Sequence, residues 1–319
     1  MSRLQIATMF CITLSAAHGS VGAQERSCPA GDCTATATHE VVAPLPATTA
    51  PVLWQPSMNV FRRFTVAPER MYEFYGDVLG FAQLSTFSVG NGGVARFQAG
   101  AQELKLTRRV ADREYQSGGV AAATGLRLLS FFFADEAALT QRFVLHGLPA
   151  PVFALLPGAS QRSALVADPD GQAVELVIVA AADAARLVSI EVGLTVSDLE
   201  RSRAFYRSFV GLEELPPVQD ERFGTMKYPF RHGSTTVSLR SFGGPLPADT
   251  GSGGIQYVVS NVEVVDALAK ARHVPIDQPL QGLRNFNLRT IWLDDPDGVT
   301  NYFAETAASR SAATGSSQP

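Results

Sequence analysis

The sequence predicts an α+β fold of four βαβββ modules set in two homologous halves, and three observations predict it. The stretch Asp168-Pro169-Asp170-Gly171-Gln172-Ala173-Val174-Glu175-Leu176 recurs as Asp295-Pro296-Asp297-Gly298-Val299-Thr300-Asn301-Tyr302-Phe303. Phe74-Tyr75, followed by Leu79-Gly80-Phe81, returns at nearly the same interval as Phe205-Tyr206, followed by Val210-Gly211-Leu212. Strand-like openings at 59–66, 127–133, 190–196 and 254–259 each lead into a segment with helical amphipathic spacing.

The helices are expected over 68–79, 135–146, 198–210 and 261–273, and their ends have mechanisms. Pro68 suits a first helical position, while Asp135, Asp198 and Asn261 can accept the free N-terminal amides. Gly80, Gly147 and Gly211 suit left-handed C-terminal stops. Short strands follow each helix, among them 103–107, 164–168, 235–239 and 290–293. In the recurring stretch, Pro fixes φ, Gly accepts a positive φ, and the alternation after the turn reads as a strand. Glu175 and Tyr302 therefore hold the same facing position in the two copies. One copy carries a carboxylate there and the other does not.

Outside the repeats the composition changes. Residues 1–23 combine a basic Arg3, an apolar run from Leu4 to Ala17 and small residues Val21 and Ala23. This reads as a secretory signal peptide cleaved after Ala23, with a periplasmic or secreted mature protein, and the run is too short for a spanning helix. Residues 24–57, rich in Ala, Thr and Pro, read as a disordered linker, and 307–319 as a disordered tail. Cys11 leaves with the signal, which makes Cys28 and Cys33 a candidate local disulfide and, without neighbouring His, a poor zinc site. The folded part divides into domains at 58–182 and 187–306. A net charge of −4 gives no basic footprint and argues against a nucleic-acid partner. No further apolar run would span a membrane in the mature chain, which is expected to be a monomer or homodimer.

The run Glu191-Val192-Gly193-Leu194-Thr195-Val196-Ser197-Asp198-Leu199-Glu200-Arg201-Ser202-Arg203-Ala204-Phe205-Tyr206, with the two Asp-Pro-Asp-Gly strands, resembles the vicinal oxygen chelate (VOC) superfamily, also called the glyoxalase/bleomycin-resistance/dioxygenase superfamily. The resemblance covers about Met58 to Glu305. It implies two tandem glyoxalase-like domains in which paired modules form curved mixed sheets that enclose cavities. It also implies metal-ligand positions at the start of each module's first strand and on its last. Carried onto this sequence, those positions are Phe61, Lys105, Leu128 and Glu175 in the first half and Glu191, Ser238, Gly254 and Tyr302 in the second.

Two of those positions are carboxylates, and the five histidines add little. His18 lies in the signal, His39 in the linker, His146 and His273 at helix ends, and His232 in a turn near a cavity rim. A divalent ion needs several preplaced donors, so a metal site within one half is disfavoured. If modules pair across the halves, Glu175 and Glu191 share a cavity with Leu128 and Ser238, while Phe61, Lys105, Gly254 and Tyr302 share the other. Glu175 and Glu191 are then the candidate catalytic pair. They would act as ligands of one divalent metal ion, the single cofactor the resemblance implies, or one would act as a base if burial raises its pKa. The plainer reading makes them solvated or arginine-paired carboxylates. Arg63, Tyr302, Ser238 and His232 are the candidate substrate-binding residues, with Arg63 able to pair a cavity carboxylate or an anionic ligand.

Two functional classes follow. One is an exported enzyme of lyase, isomerase or oxygenase type acting on a small oxygenated or aromatic molecule through a degenerate metal site. The other is a metal-free protein of the bleomycin-resistance type that binds or sequesters a small molecule. A ring-cleaving dioxygenase and a glutathione-dependent glyoxalase are disfavoured by the missing ligands, and no Ser-His-Asp set or phosphate loop is present.

Overall fold

The computed structural model describes residues 44–89, 92–283 and 286–315. The expected signal peptide, both remaining cysteines and most of the expected linker lie outside the described residues. The first module is β1 (Asn59–Phe64), α1 (Pro68–Tyr72), β2 (Ala82–Val89), β3 (Gly92–Ala99) and β4 (Gln102–Arg108). The second is β5 (Gly125–Phe133), α2 (Glu136–Leu145), β6 (Ala154–Leu155), β7 (Arg162–Ala167) and β8 (Ala173–Ile178). The third is β9 (Ile190–Thr195), α3 (Leu199–Ala204), β10 (Glu213–Glu214), β11 (Val218–Asp220), β12 (Thr225–His232) and β13 (Thr235–Arg240). The fourth is β14 (Gly253–Val258), α4 (Val262–Ala271), β15 (Ile276–Leu283), β16 (Leu288–Asp294) and β17 (Thr300–Thr306). The helix starts follow the side chains: Asp135 accepts from the Ala138 amide, Asp198 from Arg201, and Asn261 from Glu263 and Val264.

The modules pair across the halves. One sheet has eight strands in the order β15-β16-β17-β14-β1-β4-β3-β2, joining the fourth module to the first. The other has nine, β10-β12-β13-β9-β5-β8-β7-β6 with β11 against β12, joining the third to the second. Each junction is an antiparallel pair of first strands, β1 with β14 and β5 with β9. One face of each sheet packs on the helices and on a shared apolar core that includes Val60, Leu104, Phe131, Val192, Leu239, Tyr257 and Phe303. The opposite face is concave, and the edges of the first sheet approach until Phe87 on β2 meets Phe286, ring centroids 5.3 Å apart.

The Asp-Pro-Asp-Gly turns tie each half together while the sheets tie the halves to each other. Gly171 and Gly298 take φ of 80° and 79°, closing the turns. Asp168 accepts its own turn's amides from Asp170 and Gln172, each at 3.0 Å, and the Tyr75 hydroxyl at 3.0 Å. Asp295 repeats the pattern with Asp297 and Val299, each at 2.9 Å, and Tyr206 at 2.8 Å. Both tyrosines sit in a widened helical turn, Glu73–Val78 and Phe205–Val210, that continues α1 and α3 with π spacing. The second aspartate reaches the end of the preceding module's first strand: Asp170 accepts from the Thr65 and Val66 amides at 3.1 Å, Asp297 from Ser197 at 3.0 Å.

Two stretches that composition marks as disordered are ordered in part. Thr49 is fully buried because its amide and hydroxyl reach Phe209 O at 2.9 Å and Val210 O at 2.8 Å. It thereby satisfies carbonyls that a helix C-terminus leaves free. Leu53 bridges Val259, so the last part of the expected linker is docked on the fourth module. In the expected tail, Ala307–Gly315 forms α5. Thr306 and Ser309 exchange bonds at 2.9 and 3.1 Å, in the manner of a capping box, and start this Ala-rich helix.

Asp168 has Arg62 Nε at 3.8 Å inside the core, whereas no ion pair is seen at Asp295 among the described residues. Burial pushes the Asp295 carboxyl up to about 7, against the lowering effect of the Val299 amide and the Tyr206 hydroxyl. A group whose folded pKa is raised stabilises the fold below its unfolded pKa, near 3.8, and loses that contribution as pH climbs through about 7. Asp295→Asn, which keeps the turn acceptor without a charge, should remove this fall. Urea midpoints of wild type and variant should differ little near pH 4 and diverge in the variant's favour near pH 8. Parallel pH profiles would contradict the raised pKa.

Candidate functional site

The two concave faces differ in what their side chains leave unpaired. On the second sheet, Ser130 of β5 is in register with Glu175 of β8 on one side and Glu191 of β9 on the other. Residues in register share a face, so the sheet brings both expected carboxylates into one row. The Ser130 hydroxyl donates to Glu175 Oε2 at 3.0 Å, and Arg222 Nε lies 3.3 Å from Oε1. Arg222 comes from the turn before β12 and crosses to β7, donating to Ser163 O at 3.0 Å. Lys227 Nζ is 3.1 Å from Glu191 Oε1, Arg240 Nη2 is 3.6 Å from it, and the same nitrogen is 2.7 Å from Asp220.

The rest of this face is filled. Leu128 packs with Val120 and Ala173, and Phe223 and Phe242 close over them. Phe223 also lies over the Arg240 guanidinium, 5.5 Å from ring centroid to Cζ. Gly193 is required beneath them, since a Cβ there would lie 2.7 Å from Leu128 Cβ and 3.0 Å from Arg240 Nη1. Ser238 is buried beside Gly193.

These donors do not fit a divalent metal ion. Each carboxylate already has a cationic partner, the neighbouring ligand position is Leu128, and no group of three or more His, Cys, Asp and Glu suited to an ion occurs among the described residues. The condition for base catalysis fails at Glu191 as well. Burial alone would raise its carboxyl, but Lys227 and Arg240 outweigh burial and hold it at about 2. A carboxylate that acidic takes up a proton poorly at ordinary pH.

On the first sheet, Phe61 is in register with Lys105 and Gly254, Gly254 with Thr300, and Gln256 with Tyr302. A Cβ on Gly254 would meet Phe61 Cζ at 2.4 Å, so glycine is what lets the ring lie across β14. Lys105 bonds to Gln256 Oε1 and lies 3.7 Å from Glu103, with its ammonium pKa lowered by burial. Arg63, two residues beyond Phe61 on the same face, is 3 % exposed with its Cζ 5.1 Å from the Phe61 ring centroid. Its Nη1 has no hydrogen-bond partner, and burial, then the nearby Arg113, lower the group to about 10. Tyr302 packs edge-on against Trp292, ring centroids 5.2 Å apart.

Of the expected substrate-binding residues, Arg63 and Tyr302 thus share the first sheet, and Ser238 lies with Glu175 and Glu191 on the second. His232 lies on neither face: its Nε2 is bonded to the Gln55 carbonyl and anchors the docked N-terminal segment. Arg222, Lys227 and Asp220 were not singled out from sequence. Their charge is visible there, but Asp220 on β11, Arg222 in the turn after it and Lys227 on β12 carry no local signal of the partners they meet.

The sequence matches the model of the Glyoxalase/Bleomycin resistance protein/Dioxygenase superfamily over residues 57–176 and 187–303. A search of curated proteins found no match. Among solved structures, glyoxalase I from Zea mays is similar with a TM-score of 0.61 at 19% identity, over 78% of this chain and 92% of that one. A putative dioxygenase from Bacillus subtilis subsp. subtilis str. 168 is similar with a TM-score of 0.56 at 14% identity, over 80% and 86%. At these identities the likeness concerns the fold alone.

Glu191 supplies the test of the ion-paired row. Its lowered carboxyl stabilises the fold above its unfolded pKa, near 4.5, and that contribution is lost as pH falls toward about 2. Glu191→Gln should cost about 3 kcal/mol at neutral pH, because Lys227 loses its carboxylate and Arg240 keeps Asp220 alone. It should cost much less near pH 2.5 in a urea titration. A loss that does not change with pH would contradict the pairing.

Proposed function

The chain belongs to the glyoxalase/bleomycin resistance protein/dioxygenase superfamily, and from that premise we propose that it is an exported, metal-free protein that binds a small molecule in one of its concave sheets. The observation that carries this reading is the pairing of Glu175 with Arg222 and of Glu191 with Lys227 and Arg240. Three cationic side chains stand where an ion would otherwise neutralise two carboxylates. A guanidinium or ammonium balances that charge but offers no open coordination position and activates no bound water as a metal ion does. Export rests on the signal-like residues 1–23.

The catalytic alternative needs Glu175 or Glu191 to take a proton or hold an ion. The Glu191 carboxyl is too acidic for the first role, and the paired cations oppose the second. Binding by itself requires only a shaped face with a few unpaired polar groups, which the sheet of the first and fourth modules offers.

Metal content of the mature protein, purified without chelator or affinity tag, tests this reading, with Glu175→Ala/Glu191→Ala as the control. No stoichiometric metal is expected in either protein. Metal in the wild type that disappears from the double variant would sink the proposal. In a ligand screen, a bound molecule should raise unfolding stability by about 2.7 kcal/mol at a hundredfold excess over Kd and be recovered unchanged by mass spectrometry. Recovery of a product would establish turnover instead.

A further inference from the structure

Resting on that binding reading, we infer that the ligand carries a single carboxylate and that Arg63, on the concave face of the first sheet, receives it. Arg63 is 3 % exposed, and no ion pair to its guanidinium is seen among the described residues. An arginine stays charged at any ordinary pH, so its burial leaves a guanidinium in need of a bonded acceptor. The carboxylates nearby act on it only at longer range. Arg113 Nη2 lies 2.7 Å from Asp277 and 3.1 Å from Asp294, and these two with the exposed Asp112 favour the Arg63 charge without bonding to it.

The other unpartnered groups on this face point the same way. Trp292 Nε1 and Thr300 Oγ1 are buried without hydrogen-bond partners, like Arg63 Nη1. All three can donate, so the complement they lack is an acceptor. Lys105, the remaining cation in this row, is occupied by Glu103 and Gln256, so one guanidinium is left to bond an anion, which matches a monoanion better than a phosphate. The surroundings suit a flat apolar body: Phe61 lies beside the guanidinium, Trp292 and Tyr302 form an aromatic corner, and Phe87 meets Phe286 where the outer hairpins come together. The second sheet supplies the contrast. Arg240 Nη1, Ser238 Oγ and Glu191 Oε1 are also without hydrogen-bond partners there, but the charges are paired directly, Arg240 with Asp220 and Glu191.

The experiment uses the mature full-length chain carrying Trp54→Phe, which leaves Trp292 as the one tryptophan of the two. Its emission is followed while acetate, benzoate, 2-naphthoate, benzamide or inorganic phosphate is added. Benzoate or naphthoate should change the emission saturably and raise Tm. Benzamide, the neutral counterpart of benzoate, should bind at least about tenfold more weakly, the equivalent of one charge-assisted bond of about 1.4 kcal/mol. Arg63→Met should abolish carboxylate binding and raise the Tm of the free protein by several degrees, because a buried unpaired charge is removed. Arg63→Lys should restore part of the binding.

Equal binding of benzamide and benzoate, preference for phosphate, or carboxylate binding that survives Arg63→Met would each overturn the inference while leaving a binding protein. Failure of all three carboxylates would also overturn it, and a neutral ligand from the screen would then keep the binding reading alive. An Arg63→Met protein that is less stable than wild type would make Arg63 a structural residue. Chemical conversion of a carboxylate held by Arg63 would reject sequestration but keep the site.

Discussion

The carboxylates of Asp168, Asp170, Asp295 and Asp297 carry the constraint on which the architecture depends. Sheet pairing links the first module to the fourth and the second to the third, so hydrogen bonding between strands does nothing to hold the first module to the second. The aspartates do. In each half the first aspartate takes a helix tyrosine of the preceding module, and the second takes the amides that follow that module's first strand. Three of the four carboxylates are buried, Asp297 being the exception, and buried acceptors are costly to leave unmade, so each turn fixes a whole module relative to its neighbour.

Given that frame, the two concave faces are free to diverge. Equivalent positions hold Glu175 in one and Tyr302 in the other, and the rest of each face follows from that difference. Around the carboxylates of the second sheet gather Arg222, Lys227 and Arg240, with aromatic rings closing over Leu128. On the first sheet Arg63 lies against Phe61 with no such partner. One face pairs its charges directly, and the other keeps a buried guanidinium with no carboxylate bonded to it. A buried guanidinium without a counter-ion lowers stability, and proteins retain such costs mainly at functional positions.

Local chemistry made much of this readable from the chain. The capping side chains of Asp135, Asp198 and Asn261 act within three residues of themselves, and the Asp-Pro-Asp-Gly turns specify their own conformation. The alternation after those turns placed Glu175 and Tyr302 on cavity faces. The ion-pair partners were not readable, because Arg222 reaches Glu175 from a turn in another module and Lys227 reaches Glu191 from a strand more than thirty residues on. Thr49 was hidden for a related reason: a threonine in a Pro- and Ala-rich stretch gives no sign that two helix-end carbonyls await it. Ala307–Gly315 was read as tail since its small residues bury little surface, yet alanine is a strong helix former once a cap is present.

The cross-paired sheets also impose an order of assembly. The second and third modules are neighbours in the chain, so the sheet they share can form as soon as both have left the ribosome. Phe61, by contrast, finds its partner in Gly254, and β14 in turn pairs with β17 near the end of the described chain. The loop between them must close before that pairing contributes anything, which delays the outer sheet relative to the inner one. Until then β1 presents an unprotected edge of the kind that recruits other chains. The first and last modules thus shield one another, nested around a middle that folds before them.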